Sequence, residues 1–173
     1  MVDPVAAPLI LTLAFPADVQ ARLEALRRAH YPVALNRVPA HLTLFHHLPG
    51  PQAPGLVTDL KEIARHHAPP DLRLAGLMSL GRGVAIRVES DALDAVRTDL
   101  AERWEPLLLP QDRAPFRPHV TIANKLQPAA ARTLLARLSA GFAASRTVAT
   151  GLDLWRLDGM RWAELVRVRF RHY

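Results

Sequence analysis

The chain has 173 residues, half of them hydrophobic, and carries a formal net charge of +6 at pH 7. This length fits a single domain, 1–173, with a sizeable core, and the hydrophobic content excludes a disordered chain. The sequence contains no cysteine, which excludes a disulfide framework and a thiolate metal site and suits a cytoplasmic protein. The basic balance favours polyanionic partners such as RNA.

The first apolar segment, residues 8–15, is too short to span a bilayer. Asp3 is the only charge before it, whereas a signal peptide would have basic residues there. We therefore expect no membrane association and interpret the segment as a buried first strand.

Changes of hydrophobic period predict the remaining elements. Val19, Leu23 and Leu26 recur at helical spacing, which predicts a helix that begins near Pro16 and ends before Pro32. The same reasoning predicts a strand over 37–48, a helix around 56–63, a hairpin of strands 72–80 and 84–88, a helix over 93–104, a strand over 116–122, a helix around 131–138, and a closing hairpin of strands 147–157 and 162–170.

Two tetrapeptides, residues 41–44 and 119–122, share the pattern His-apolar-Thr-apolar. Side chains alternate along a strand, so His41 and Thr43 share one face, as do His119 and Thr121. An imidazole can carry a proton near neutral pH, and a hydroxyl can donate a hydrogen bond to an oxyanion. Two such strands facing one cleft would supply the groups that in-line displacement at a phosphodiester needs.

Four further residues are candidates for substrate binding. Arg117 and Arg37 have the strand parity of His119 and His41, so both could contact a phosphate, as could Lys125 after the second motif. The alternative for each is an exposed charge at a strand end. Phe45 falls on the face of His41 and Thr43, where it would be either a stacking platform for a base or a core aromatic.

A metal site is the competing interpretation of the first motif, because His46 and His47 follow His41 closely. Adjacent strand residues point to opposite faces, so the two cannot both ligate one ion without a bend. No carboxylate lies within this stretch. We therefore expect no metal and no other cofactor.

The paired tetrads resemble those of the two-histidine (2H) phosphoesterase superfamily, and the chain resembles its bacterial 2′-5′ RNA ligase-like branch. Residues 9–16 resemble the family's first strand, and residues 151–170 resemble its closing hairpin. The resemblance implies an α+β fold of two lobes related by a pseudo-twofold, with antiparallel-rich sheets lining a central cleft and helices outside. The order of predicted elements, which halves into two similar units, leads to the same architecture.

The leading hypothesis is a metal-independent phosphodiesterase for 2′,3′-cyclic phosphates of RNA ends or nucleotides, with reversible 2′-5′ RNA ligation as an additional activity. The two histidines would be general acid and base, in either assignment, and the two threonines would bind phosphate oxygens. The alternatives are a non-catalytic RNA- or nucleotide-binding module and a phosphoesterase for a non-RNA metabolite. Intact histidines and threonines in both motifs favour the enzyme, and no obligatory protein partner is evident.

Overall fold

The computed structural model describes residues 3–171. Its strands are β1 (Leu9–Ala14), β2 (Leu42–Leu48), β3 (Asp71–Ser79), β4 (Val84–Glu89), β5 (His119–Ala123), β6 (Ser145–Val148), β7 (Gly151–Asp158) and β8 (Arg161–Arg169). Its α-helices are α1 (Ala17–His30), α2 (Ala53–His66), α3 (Asp91–Arg103), α4 (Pro110–Arg113) and α5 (Pro128–Gly141). Within residues 3–171, no helix combines the length and the apolar character needed to cross a membrane.

The strands form two four-stranded sheets with matching topology. The first has the order β2-β1-β7-β8 and the second the order β5-β4-β3-β6, and all neighbouring strands are antiparallel. The predicted α+β fold with two antiparallel sheets is therefore confirmed. The two motif strands occupy equivalent places, since β2 and β5 each lie at one edge of their sheet, and Cα atoms of the two strands approach within 8 Å.

Helices pack against both sheets and help to bury the aliphatic side chains of the strands. Leu9, Leu11 and Leu13 of β1 are buried, and α2 packs against β7 and β8 of the same sheet. Helix α5 packs in the equivalent way against β3 and β4. Helix α3 begins at a side-chain cap, because the Ser90 hydroxyl accepts a hydrogen bond from the Leu93 N–H.

The predicted strand over 147–157 is wrong, because the chain changes sheets in the middle of it. Strand β6 belongs to the second sheet and β7 to the first. At the crossing, the Ala149 N–H donates to the Pro70 carbonyl and the Thr150 N–H donates to the Ala14 carbonyl, each at 2.9 Å. Two consecutive peptides thus bond to different lobes, and side-chain periodicity contains no signal for such a change.

Candidate active site

The two motif histidines lie at the start of the two adjacent edge strands. His119 is the first residue of β5 and pairs with Arg87 of β4. His41 directly precedes β2, whose first residue is Leu42, so the strand predicted over 37–48 begins later than expected. Cα atoms of β2 and β5 lie within 8 Å of each other, and the charge of a protonated His119 is one of the causes that lower the pKa of His41.

Both imidazoles are oriented by the same local hydrogen bond. His41 Nδ1 lies 2.7 Å from the Pro39 carbonyl oxygen, and His119 Nδ1 lies 2.6 Å from the Arg117 carbonyl oxygen. Because a carbonyl only accepts, Nδ1 is the donor in each case. This fixes the tautomer and leaves Nε2 of both rings as the atom that can accept or donate a proton.

His41 is electrostatically unusual. The pKa of His41 is lowered to about 4, mainly by burial and to a smaller extent by the positive charges of Arg27, His46 and His119. The hydrogen bond to the Pro39 carbonyl opposes these effects without cancelling them. The ring is therefore neutral at pH 7, with Nε2 ready to accept a proton.

The burial pattern of the motif strands follows the predicted alternation. Leu42 and Leu44 are buried and Thr43 between them is half-buried. In β5, Val120 and Ile122 are buried while His119 and Thr121 are half-buried. Thr43 and Thr121 thus lie on the sheet faces opposite the aliphatic core.

Phe45 is not a stacking platform, and this part of the prediction is wrong. The residue is 0% exposed and its ring packs edge-on against Trp104, with centroids 5.2 Å apart. The cause is a bulge in β2. Thr12 of β1 pairs with Thr43, and the neighbouring Leu11 pairs with Phe45, so consecutive residues of β1 face residues of β2 that are two positions apart. The bulge reverses the alternation and turns Phe45 into the core.

The three basic candidates all have exposed side chains. Arg117 contributes its carbonyl to the orientation of His119, a role that depends on the backbone and not on the guanidinium. Arg37 donates to the Ala34 carbonyl at 3.4 Å and lies 2.9 Å from the Met160 sulfur. Lys125 has a φ of 59° immediately after β5. Phosphate contacts by these three residues remain predictions.

His46 and His47 contribute their backbone N–H groups to a contact that closes the edge of β2. Asp112 of α4 is 2% exposed, and its carboxylate accepts hydrogen bonds from the N–H groups of both residues at 2.9–3.0 Å. It also pairs with His46 Nδ1 at 3.0 Å. Asp112 therefore closes the free edge of β2. In the part of the chain that the structure describes, no three histidine, aspartate or glutamate side chains are grouped so that they could hold a metal ion.

Sequence reasoning missed the aromatic residues beside His41. The Trp162 ring lies 4.6 Å from the His41 ring, and Trp155 lies 6.0 Å from Trp162. Trp155 Nε1 donates to the Thr12 hydroxyl at 2.8 Å. A groove of about 620 Å³ opens next to His41 and is lined by α1, Trp155, Arg167 and Arg169 among others. The aromatic residues of the predicted closing hairpin were the available signal, but they gave no indication of which motif they adjoin.

A model of the 2′-5′ RNA ligase superfamily matches residues 15–161. The chain belongs to this superfamily of 2H phosphoesterases. A curated relative, an RNA 2′,3′-cyclic phosphodiesterase of Geobacillus stearothermophilus, is 39% identical over 98 residues. That match spans 50% of this chain but only 31% of the relative's length.

Two solved structures share the fold with this chain at low sequence identity. A protein of Thermus thermophilus superposes with a TM-score of 0.65 at 21% identity, covering 95% of this chain and 98% of that one. E. coli LigT in complex with 3′-AMP superposes with a TM-score of 0.59 at 18% identity, covering 96% and 99%. These likenesses support the bilobal fold expected of the 2H phosphoesterases.

Proposed function

We propose that this protein is a metal-independent phosphodiesterase that opens 2′,3′-cyclic phosphates of RNA ends or nucleotides. The observation that carries the proposal is the matched pair of imidazoles, each with Nδ1 bonded to the carbonyl two residues earlier and Nε2 left for proton transfer. The name of the Geobacillus relative and the superfamily match support the same substrate class.

The environment of His41 supports one assignment of the two histidines in hydrolysis. His41, neutral at pH 7 because of its lowered pKa, accepts a proton from the attacking water through Nε2. His119 donates a proton to the sugar oxygen that leaves when its bond to phosphorus breaks, and this oxygen becomes a hydroxyl group. Each transfer contributes roughly 10²- to 10⁴-fold to the rate. In 2′-5′ ligation the 5′-hydroxyl of a second RNA end takes the place of water. His41 accepts its proton, the 3′-oxygen leaves with a proton from His119, and the phosphate then joins the 2′-oxygen to the 5′-oxygen.

The remaining groups of the site bind the substrate. The hydroxyls of Thr43 and Thr121 donate to the non-bridging phosphate oxygens, where negative charge accumulates in the transition state. Trp162, half-buried against His41, offers the stacking surface that Phe45 cannot provide. Arg117, Arg37 and Lys125 supply positive charge at the exposed rim of the site.

The test is turnover of a panel of 2′,3′-cyclic nucleotides, cyclic-phosphate-ended RNA, a 2′-5′-linked dinucleotide and ADP-ribose 1″,2″-cyclic phosphate, with product regiochemistry read by NMR. We expect turnover of at least one 2′,3′-cyclic phosphate that persists in EDTA. Loss of activity on chelation, restored by a divalent ion, would contradict metal independence. Tight binding of a non-hydrolysable analogue without any turnover would favour a binding module instead, and turnover of the ADP-ribose compound alone would favour a metabolite phosphoesterase.

A further inference from the structure

Helix α1 contacts the backbone of both motifs. Three of its polar residues, Gln20, Glu24 and Arg27, are spaced four and three apart, which places them along one side of the helix. The first two reach the segment before His41, and the third reaches β5. The helix thereby links an edge of the first lobe to an edge of the second.

The contact with the first motif replaces missing sheet hydrogen bonds. Strand β2 begins at Leu42, so the peptide before His41 lies outside the ladder. Ala40 is buried there, and α1 satisfies both of its backbone polar groups: the Ala40 N–H donates to Glu24 Oε1, and Gln20 Nε2 donates to the Ala40 carbonyl, each at 2.8 Å. Gln20 also donates to Glu24 at 2.9 Å, which holds the two side chains together.

The contact with the second motif is made by a buried guanidinium. Arg27 is 3% exposed, and its Nη1 donates to the Thr121 carbonyl at 3.1 Å. Its Nε donates to Asn36 Oδ1 at 2.7 Å, and the guanidinium lies over the Tyr31 ring at 4.1 Å. These three contacts hold the planar guanidinium in one orientation, which the single ammonium group of a lysine could not reproduce.

We propose that α1 is the element that sets the separation of the two catalytic histidines, with Gln20, Glu24 and Arg27 as positioning residues. The inference rests on the proposed function and deepens it. A helix transmits position well because successive residues have a fixed rise of about 1.5 Å. A displacement of about 1 Å between reacting groups can cost up to roughly 100-fold in rate, so these three side chains matter although none of them reacts.

The charge of Arg27 gives the proposal a second readout. It is one of the causes that keep the pKa of His41 low, together with burial and the charges of His46 and His119. Four further charged residues, Glu24, Asp153, Arg167 and Arg169, line the groove beside His41. Removal of Arg27 should therefore move the titration of His41 to higher pH.

The experiment compares Glu24→Ala, Glu24→Gln and Arg27→Met with Arg28→Met, a control that removes an exposed arginine from the same helix. We expect Glu24→Ala and Arg27→Met to lower kcat roughly 10- to 100-fold with little change in KM. Glu24→Gln should restore most of the activity, since its amide oxygen still accepts from the Ala40 N–H. In a His41→Ala background the Glu24→Ala change should cost nothing further, because it acts through His41.

A parallel measurement does not depend on turnover. The imidazole ¹⁵N resonances of His41 and His119, followed against pH, report the state of each ring directly. We expect Arg27→Met to raise the titration midpoint of His41 and Glu24→Ala to shift its resonances, with Arg28→Met like wild type.

If the proposed function is wrong but the positioning role is right, these shifts will be seen although wild type itself does not turn over any cyclic phosphate. Folded Glu24→Ala and Arg27→Met proteins with unchanged kcat and unchanged His41 resonances would overturn the positioning role, as would equal effects from Arg28→Met. If Arg27→Met does not fold, the comparison of Glu24→Ala with Glu24→Gln tests the positioning role by the same criteria.

Discussion

Replacement of His41 by asparagine should change how the stability of the protein depends on pH. The folded pKa of His41 is about 4, against 6.5 for an unperturbed histidine. Between these values the unfolded chain binds a proton that the folded protein does not. The free energy of unfolding therefore has its full value above pH 6.5 and decreases as the pH falls towards 4.

The size of the effect follows from the pKa difference. A shift of this extent corresponds to at most about 3.4 kcal/mol when the pH is below both pKa values. Between pH 7 and pH 5 the expected loss is about 2 kcal/mol, reduced by whatever solvent screening reaches the half-buried ring. His41→Asn removes this contribution, so its unfolding free energy should decrease less than that of wild type over the same interval.

The assay is urea unfolding of wild type and His41→Asn at several pH values from 7 to 5, with the difference between them plotted against pH. All other titrating groups are common to both proteins and cancel in this difference. His47→Asn, which removes an exposed imidazole near the far end of β2, is the matched control and should not reproduce the change. Parallel pH profiles for wild type and His41→Asn would refute the lowered pKa of His41 and, with it, the argument for His41 as the base.

Three further outcomes are expected. Thr43→Val and Thr121→Val each remove one oxyanion donor and should lower kcat by up to roughly 10²- to 10³-fold; unchanged kcat in folded variants would make the hydroxyls structural. His41→Ala and His119→Ala should each cost nearly as much as the double change, and wild-type kcat/KM should be bell-shaped, with activity lost on the acid side as His41 becomes protonated; additive losses would argue against one shared step. Asp112→Ala should destabilise the fold by about 2–3 kcal/mol in thermal or urea unfolding, because the N–H groups of His46 and His47 lose the buried carboxylate that accepts from them, whereas Asp112→Asn should cost less; equal stability of all three proteins would contradict the edge-closing role.

The sequence determined most of the secondary structure and the identity of the motif residues. Aliphatic residues occupy alternate positions in 42–44 and 119–122, and these residues are buried in the structure. Alternation of this kind is typical of a strand with one face in the core. Helix periods placed α1, α2, α3 and α5 close to their observed bounds. The repeat of one pattern at two places also indicated two similar lobes, because similar segments build similar units.

Tertiary structure decided what depends on contacts between distant segments. Phe45 has the sequence parity of an exposed residue, but the bulge in β2 arises from pairing with β1 and turns it inward. The change of sheet at Ala149 depends on acceptors at Pro70 and Ala14, far away in the chain. The low pKa of His41 comes from burial and from Arg27, and the acceptor that holds Arg27 against β5 is the Thr121 carbonyl, 94 residues away along the chain. Local patterns specify which residues face which side of an element, whereas the packing of one lobe against the other gives two similar histidines different environments.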